Sequence, residues 1–167
     1  MSQDNRNTLN VYLIVAGALA PLSSCPEWAA GAVIVKDGMI AGMANTAPPP
    51  GEQACQDAGG CDDEPVQRLV ADPEGLGGKS WRQFRSCRRP MHAPALAILN
   101  AARKGQAVEG GALLCTRIPC HECMRLIVAA GIANVYALDD EAEDSTGVAR
   151  SQSYGVPVHV VGESGAD

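Results

Sequence analysis

Pro119-Cys120-His121-Glu122-Cys123, read with Met91-His92-Ala93-Pro94 upstream, is the stretch that decides the fold of this chain. Two cysteines three residues apart at a helix start lie one turn apart, so both sulfurs reach the same point. The unpaired N–H groups and the dipole of that helix end favour the thiolate form. Pro119 stands at the helix entrance, where a missing N–H costs nothing. His92 heads a second predicted helix, so two helix N-termini facing one point offer zinc a His-Cys-Cys set. Three protein ligands leave a fourth position open, the arrangement of a catalytic rather than a structural zinc. The competing reading, a C-x-x-C redox pair with a chance histidine, expects a different strand context. His121 is expected to face solvent or to back the ligands, and His159 to be an ordinary strand residue.

Outward from the ligands, residues 7–24 read as an apolar helix, capped by Asn7 or Thr8 and closed by Pro26. Ala32-Val33-Ile34-Val35, Lys36-Asp37-Gly38 and Met39-Ile40-Ala41-Gly42 read as a β-hairpin around an Asp-Gly turn. Helices are expected over 92–104, stopped by Gly105, and over 120–130, ending at Gly131. Strands are expected over 112–116, 135–138 and 156–161, with a weak helix at 141–150 and a tail at 162–167. Residues 45–89 are rich in Gly, Pro and Asp with scattered cysteines, and read as one long insertion loop. Strands alternating with helices predict an α/β fold, a mixed or parallel sheet with helices on both faces, as a single domain over 1–167.

With 167 residues, 46% of them apolar and 19% charged, the chain can bury a sizeable core and is not of disordered composition. The net charge of −6 argues against a polynucleotide partner. A small anion remains compatible, because Lys79, Arg82, Arg85, Arg88 and Arg89 crowd into eleven residues beside His92. Guanidinium forks suit phosphate oxygens; the alternative is a solvated loop balancing nearby acids. The apolar run Leu13–Ala20 is short, preceded by Asp4-Asn5-Arg6-Asn7 and followed by Pro21, and reads as a buried helix rather than a signal peptide or membrane span. Seven cysteines, an odd number that includes a C-x-x-C pair, fit a cytoplasmic metal protein better than a secreted disulfide scaffold.

Taken together, the motifs resemble the deoxycytidylate deaminase branch of the cytidine deaminase-like zinc superfamily, over residues 25–138. Gly31-Ala32-Val33-Ile34-Val35-Lys36-Asp37-Gly38 looks like that branch's first hairpin. Asn45-Thr46-Ala47-Pro48 resembles its N-G-x-P substrate loop, with Thr46 in place of glycine. Cys87-Arg88-Arg89-Pro90-Met91-His92-Ala93 resembles its C-x-R-x-x-H-A approach to the zinc histidine, with Ala97-Ile98-Leu99 at the expected offset. Pro119 to Cys123, continuing to Gly131-Ile132, matches the second zinc segment. The resemblance implies a three-layer α/β/α sandwich with about five central strands, a Zn²⁺ on His92, Cys120 and Cys123, and often a homo-oligomer. It implies a hydrolase acting on C–N bonds of a small pyrimidine nucleotide resembling dCMP. Asn45 would hold a sugar hydroxyl or base edge, and Arg89 the phosphate. Trp28 and Trp81 are candidates to wall the pocket or to serve the core.

One position departs from the pattern. The family carries glutamate two residues after the zinc histidine and uses it to shuttle protons to the ring nitrogen and the leaving ammonia. This chain carries Pro94, which has no acid, no base and no N–H, yet is tolerated in a first helical turn. Glu122 does not replace it, since related enzymes can carry glutamate there alongside the usual shuttle. Glu52, after Asn45 in the Pro48-Pro49-Pro50-Gly51-Glu52 loop, is the candidate relocated base; the plainer reading is a solvated loop charge. The expected function is thus a deaminase-type hydrolase with an atypical proton relay, or a catalytically inactive nucleotide-binding or regulatory homologue. A deaminase acting on RNA adenosine fits the negative charge poorly. The resemblance further suggests that Cys25, Cys55, Cys61 and Cys87 close a second, structural zinc site, while Cys115 reads as core.

Overall fold

In the computed structural model of the chain, the described residues are 3–25, 28–60, 63–71, 79–87, 89–138 and 154–161; for 3–6, 63–71 and 79–87 the description is of the backbone alone. A five-stranded mixed sheet forms the centre, in the order β2 (Met39–Asn45), β1 (Gly31–Lys36), β5 (Ala112–Cys115), β6 (Asn134–Ala137) and β7 (Val158–Val160). Strands β1 (Gly31–Lys36) and β2 (Met39–Asn45) form the expected hairpin, Asp37 and Gly38 both taking positive φ, 51° and 75°, as an Asp-Gly turn of type I′ requires. β1 pairs antiparallel with β5 (Ala112–Cys115), and β5, β6 (Asn134–Ala137) and β7 (Val158–Val160) run parallel.

Helix α1 is Gln3–Leu19, continued by a 3-10 turn over Ala20–Leu22. It starts a turn earlier than a cap at Asn7 or Thr8 would place it, since Gln3 to Arg6 contains residues that continue a helix readily. Helices α2 (Ala93–Arg103) and α3 (His121–Ala129) fall where periodicity puts them. Alternation along the strands separates two layers of core. Ala32, Ile34, Leu113, Cys115, Val135 and Ala137 join Ala93 and Ala97 of α2 and Met124 and Ile127 of α3 in one buried cluster. Val33 and Leu114 point to the other face and are likewise fully buried, as are Leu13 and Ala16 on α1. The result is the α/β/α sandwich, with α1 on one face and α2 and α3 on the other.

Close helix–sheet approach depends on two glycines. A Cβ on Gly31 would collide with the Ala16 carbonyl of α1, and one on Gly42 with the Ala97 carbonyl of α2. Because α2 carries His92 at its head, Gly42 sets the depth at which that histidine sits. Gly42→Ala should therefore lower stability by about 1–3 kcal/mol, the cost of overpacking, seen as a lower urea midpoint at unchanged slope; an unchanged midpoint would mean that α2 is not seated on β2 as described.

The stretch 45–89 is not all loop. Strands β3 (Asp63–Ala71) and β4 (Lys79–Cys87) pair antiparallel as a separate two-stranded ribbon, with Val66 opposite Phe84 and Leu69 opposite Trp81. Charged residues interleaved with single apolar ones hide this alternation from a compositional reading. The helix expected at 141–150 and the tail at 162–167 lie outside the described residues.

Candidate metal centre

The βαβ unit β5-α3-β6 places the N-terminus of α3 at the carboxyl end of β5, the edge of an open α/β sheet where ligands collect. Cys120 is the N-cap of α3 and His92 the N-cap of α2, both with extended backbone, and neither side chain caps its own helix. Polar side chains at N-caps usually bond the first turn's N–H groups; here both are turned toward each other. Cys120 Sγ lies 3.3 Å and Cys123 Sγ 3.6 Å from His92 Nδ1. The three donor atoms all fall within 4.8 Å of one another, and this is the one metal-competent His/Cys/Asp/Glu group among the described residues.

The electrostatics suit a cation. A hydrogen bond from the Cys123 sulfur, helped by His92, holds the Cys120 thiol down at about 4. Cys123 is pushed up by the same hydrogen bond and by its burial. The two thiols are thus driven in opposite directions, and a divalent ion held between them would favour the thiolate form of both. Two soft sulfurs and one imidazole match zinc in number and type, so the residues present fit the ion.

Loops fix the surroundings. Thr116 N donates to Gly31 O at 3.1 Å, and Gly31 N donates to Thr116 Oγ1 at 3.1 Å, which pins the segment leading into Cys120. Ala47 and Met91 exchange backbone hydrogen bonds of 3.3 and 2.9 Å, which ties the turn after β2 to the approach to His92. A cavity of about 80 Å³ opens beside the donors, and its wall includes Trp28, Thr46, Pro94, Cys115 and Arg117.

The expected residues divide. His92, Cys120 and Cys123 come together, Trp28 walls the cavity, and Pro94 lies buried in its lining as the second residue of α2. Asn45 does not line the cavity; its Nδ2 donates to Leu22 O at 2.8 Å, and the adjacent, buried Thr46 reaches the cavity instead. Arg89 is half-buried with its Nε enclosed and without a hydrogen-bond partner, away from the cavity wall. Glu52 is exposed on the turn closed by its N–H to Pro49 O, 3.1 Å, and does not line the cavity. Glu122 is also exposed and pairs with Arg125 at 3.3 Å on the outer face of α3. His121 is half-buried, its Nδ1 enclosed without a partner, and His159 stacks on Tyr136 at 4.8 Å, as a strand residue does.

Cys25 and Cys55 are fully buried. Cys61, Arg88 and the side chains of Cys87, Lys79, Trp81, Arg82 and Arg85 lie outside the described residues. Cys115 is core, as expected, and burial pushes its thiol up to about 12, but it also forms part of the cavity wall. Arg117 escaped the sequence reading. It lies three residues before Cys120, in the β5–α3 loop at the ligand-binding edge, and that position was its only signal. Its Cζ sits 4.9 Å from the Trp28 ring centroid.

Residues 7–139 match the family described as the cytidine and deoxycytidylate deaminase zinc-binding region. The chain is 33% identical over 137 residues to ComE operon protein 2 of Bacillus subtilis, covering 81% of this chain and 61% of that protein, so it spans about three fifths of that relative's length. It is 35% identical over 124 residues to the deoxycytidylate deaminase of Mycobacterium phage D29, covering 74% of this chain and 88% of that one. Among solved structures, the dCMP deaminase of cyanophage S-TIM5 in complex with dCMP and dUMP superposes with a TM-score of 0.70 at 23% identity, over 96% of this chain and 99% of that one. That likeness bears on the fold, which it shares. The His-Cys-Cys cluster and the match over most of its length place this chain in the cytidine and deoxycytidylate deaminase zinc-binding family.

Proposed function

We propose that this chain is a zinc-dependent deaminase-type hydrolase for a small pyrimidine nucleotide resembling dCMP, with a proton relay that does not use residue 94. The observation that carries the reading is the convergence of His92, Cys120 and Cys123 beside a cavity, in a chain related to deoxycytidylate deaminases. A zinc ion held there supplies Lewis acidity. Thr46 and Trp28 would then shape the space for the ring, and Asn45 would hold the Thr46 turn in place through its bond to Leu22.

Release of ammonia requires a proton donor, and Pro94 supplies none. Glu52 is the proposed carrier: its carboxylate would take a proton from the attacking water and pass it to the leaving amino group, so that water supplies the proton that departs with ammonia. One observation favours a second reading: no carboxylate lines the cavity among the described residues, which suits a homologue that binds a nucleotide without converting it. Cys25, Cys55, Cys61 and Cys87 are proposed to hold a second, structural zinc, supported by the complete burial of Cys25 and Cys55. The protein is proposed to work in the cytoplasm as a homo-oligomer; the exposed Met39, Ile40 and Met43 on edge strand β2 support association. No helix among the described residues is long and apolar enough to cross a membrane.

Incubation of the zinc-loaded chain with deoxycytidylate tests the relay. Slow ammonia release, abolished by Glu52→Gln, is expected. Binding without any release selects the second reading. Brisk turnover undiminished by Glu52→Gln would overturn the proposed proton path.

A further inference from the structure

Ser23 and Thr46 are the two buried hydroxyl side chains among the described residues, and the fold uses them differently. Ser23 Oγ donates to the Thr46 carbonyl at 2.8 Å and accepts from the Cys25 N–H at 3.1 Å, so its hydroxyl is engaged within the fold. Thr46 is held through its backbone. Its N–H donates to Ala30 O at 2.9 Å, and its carbonyl accepts from Ser23 Oγ and, at 3.4 Å, from Asn45 Nδ2. None of these bonds uses the Thr46 hydroxyl, which has no hydrogen-bond partner among the described residues. Thr46 is 1% exposed and forms part of the cavity wall, where it carries the one hydroxyl among the described residues.

A buried hydroxyl without a partner costs free energy, and a ligand in the cavity can supply the missing partner. Little ordering remains to be done when it does: the β-branched side chain has few rotamers, and three bonds already fix its backbone. The neighbouring groups decide what it meets. Trp28, Pro94 and Ile118 offer apolar surface to the faces of a flat ring, and such a ring carries its donors and acceptors only at its edge. A hydroxyl both donates and accepts, so either kind of edge atom suits it. We infer that Thr46 is a specificity-determining residue of this pocket: its hydroxyl hydrogen-bonds the polar edge of the ring, so that the cavity selects a heterocycle over an apolar ring of the same shape. This deepens the nucleotide reading above and rests on it.

Calorimetric titration of the zinc-loaded full chain with deoxycytidine, and with the deoxyriboside that carries a phenyl ring in place of the base, tests it. The unmodified chain should prefer deoxycytidine. Thr46→Val keeps the shape and loses the hydroxyl; it should weaken deoxycytidine by ~10-fold, the worth of a neutral hydrogen bond whose partner is left unpaired, and leave the phenyl compound unchanged. Thr46→Ser keeps the hydroxyl and should retain most of the preference. The bonds that hold residue 46 are to its backbone, so both variants should keep their place in the wall and match the unmodified chain in zinc content. Deoxycytidine binding unchanged in Thr46→Val, or lost equally in Thr46→Ser, would overturn the inference while the nucleotide reading stands. Failure of both deoxycytidine and deoxycytidylate to bind the unmodified chain would overturn the nucleotide reading, and the inference with it.

Discussion

Pro94→Glu should raise deamination of deoxycytidylate by about 10²–10⁴-fold over the unmodified chain, the usual worth of a positioned general acid–base. Residue 94 is buried, second in α2, two residues beyond His92, and part of the cavity lining. Proline persists there because the N–H at that position has no partner within the helix. Glutamate in the same turn is favoured by the helix dipole, and the adjacent cavity of about 80 Å³ gives its side chain room. The variant should therefore fold and keep its metal. Pro94→Gln has nearly the same shape without the acid and should gain nothing, so the pair separates proton transfer from packing. Ammonia release in a coupled assay is the readout. No gain in a glutamate variant that still binds zinc and nucleotide would show that the pocket lacks more than a proton carrier.

Cys120→Ser and Cys123→Ser should both abolish the zinc held with His92, because a serine hydroxyl is not deprotonated near neutral pH as a ligand must be. The two should differ in stability. Cys123 is 3% exposed, and a hydroxyl buried there without a partner destabilises the zinc-free protein as well, by about 1–3 kcal/mol. Cys120 lies in the half-open mouth, so its serine variant should match the metal-stripped unmodified chain. Stripping the metal itself should cost about 4 kcal/mol where free zinc stands at ~1,000 times Kd. Elemental analysis together with urea unfolding checks both statements. The same analysis counts metals: two per chain in the unmodified protein, falling to one in Cys61→Ser, is the outcome expected if the four remaining cysteines hold a second ion.

Much of this structure is legible in the chain because its strongest signals are local. An Asp-Gly pair between two β-branched runs specifies the β1–β2 hairpin, and a proline followed by C-x-x-C marks both a helix start and a metal ligand pair. The βαβ order at 112–137 follows from apolar periodicity alone. What escaped depends on tertiary context. The β3–β4 ribbon alternates apolar with charged residues so sparsely that composition reads it as loop. The bond that holds Asn45 is of the same kind: its amide donates to a carbonyl 23 residues earlier in the chain, which no motif announces. Arg117 is a single arginine in a short loop, and only the fold reveals that Trp28 lies against it.

The central claim is that His92, Cys120 and Cys123 hold zinc over a cavity that receives a pyrimidine nucleotide. A crystal structure of the zinc-loaded chain soaked with deoxycytidylate tests it most directly. Zinc on those three residues, the amino-bearing edge of the ring above it and the ring between Trp28 and Pro94 are the expected result. Zinc coordinated by other residues, or the nucleotide bound outside this cavity, would contradict it.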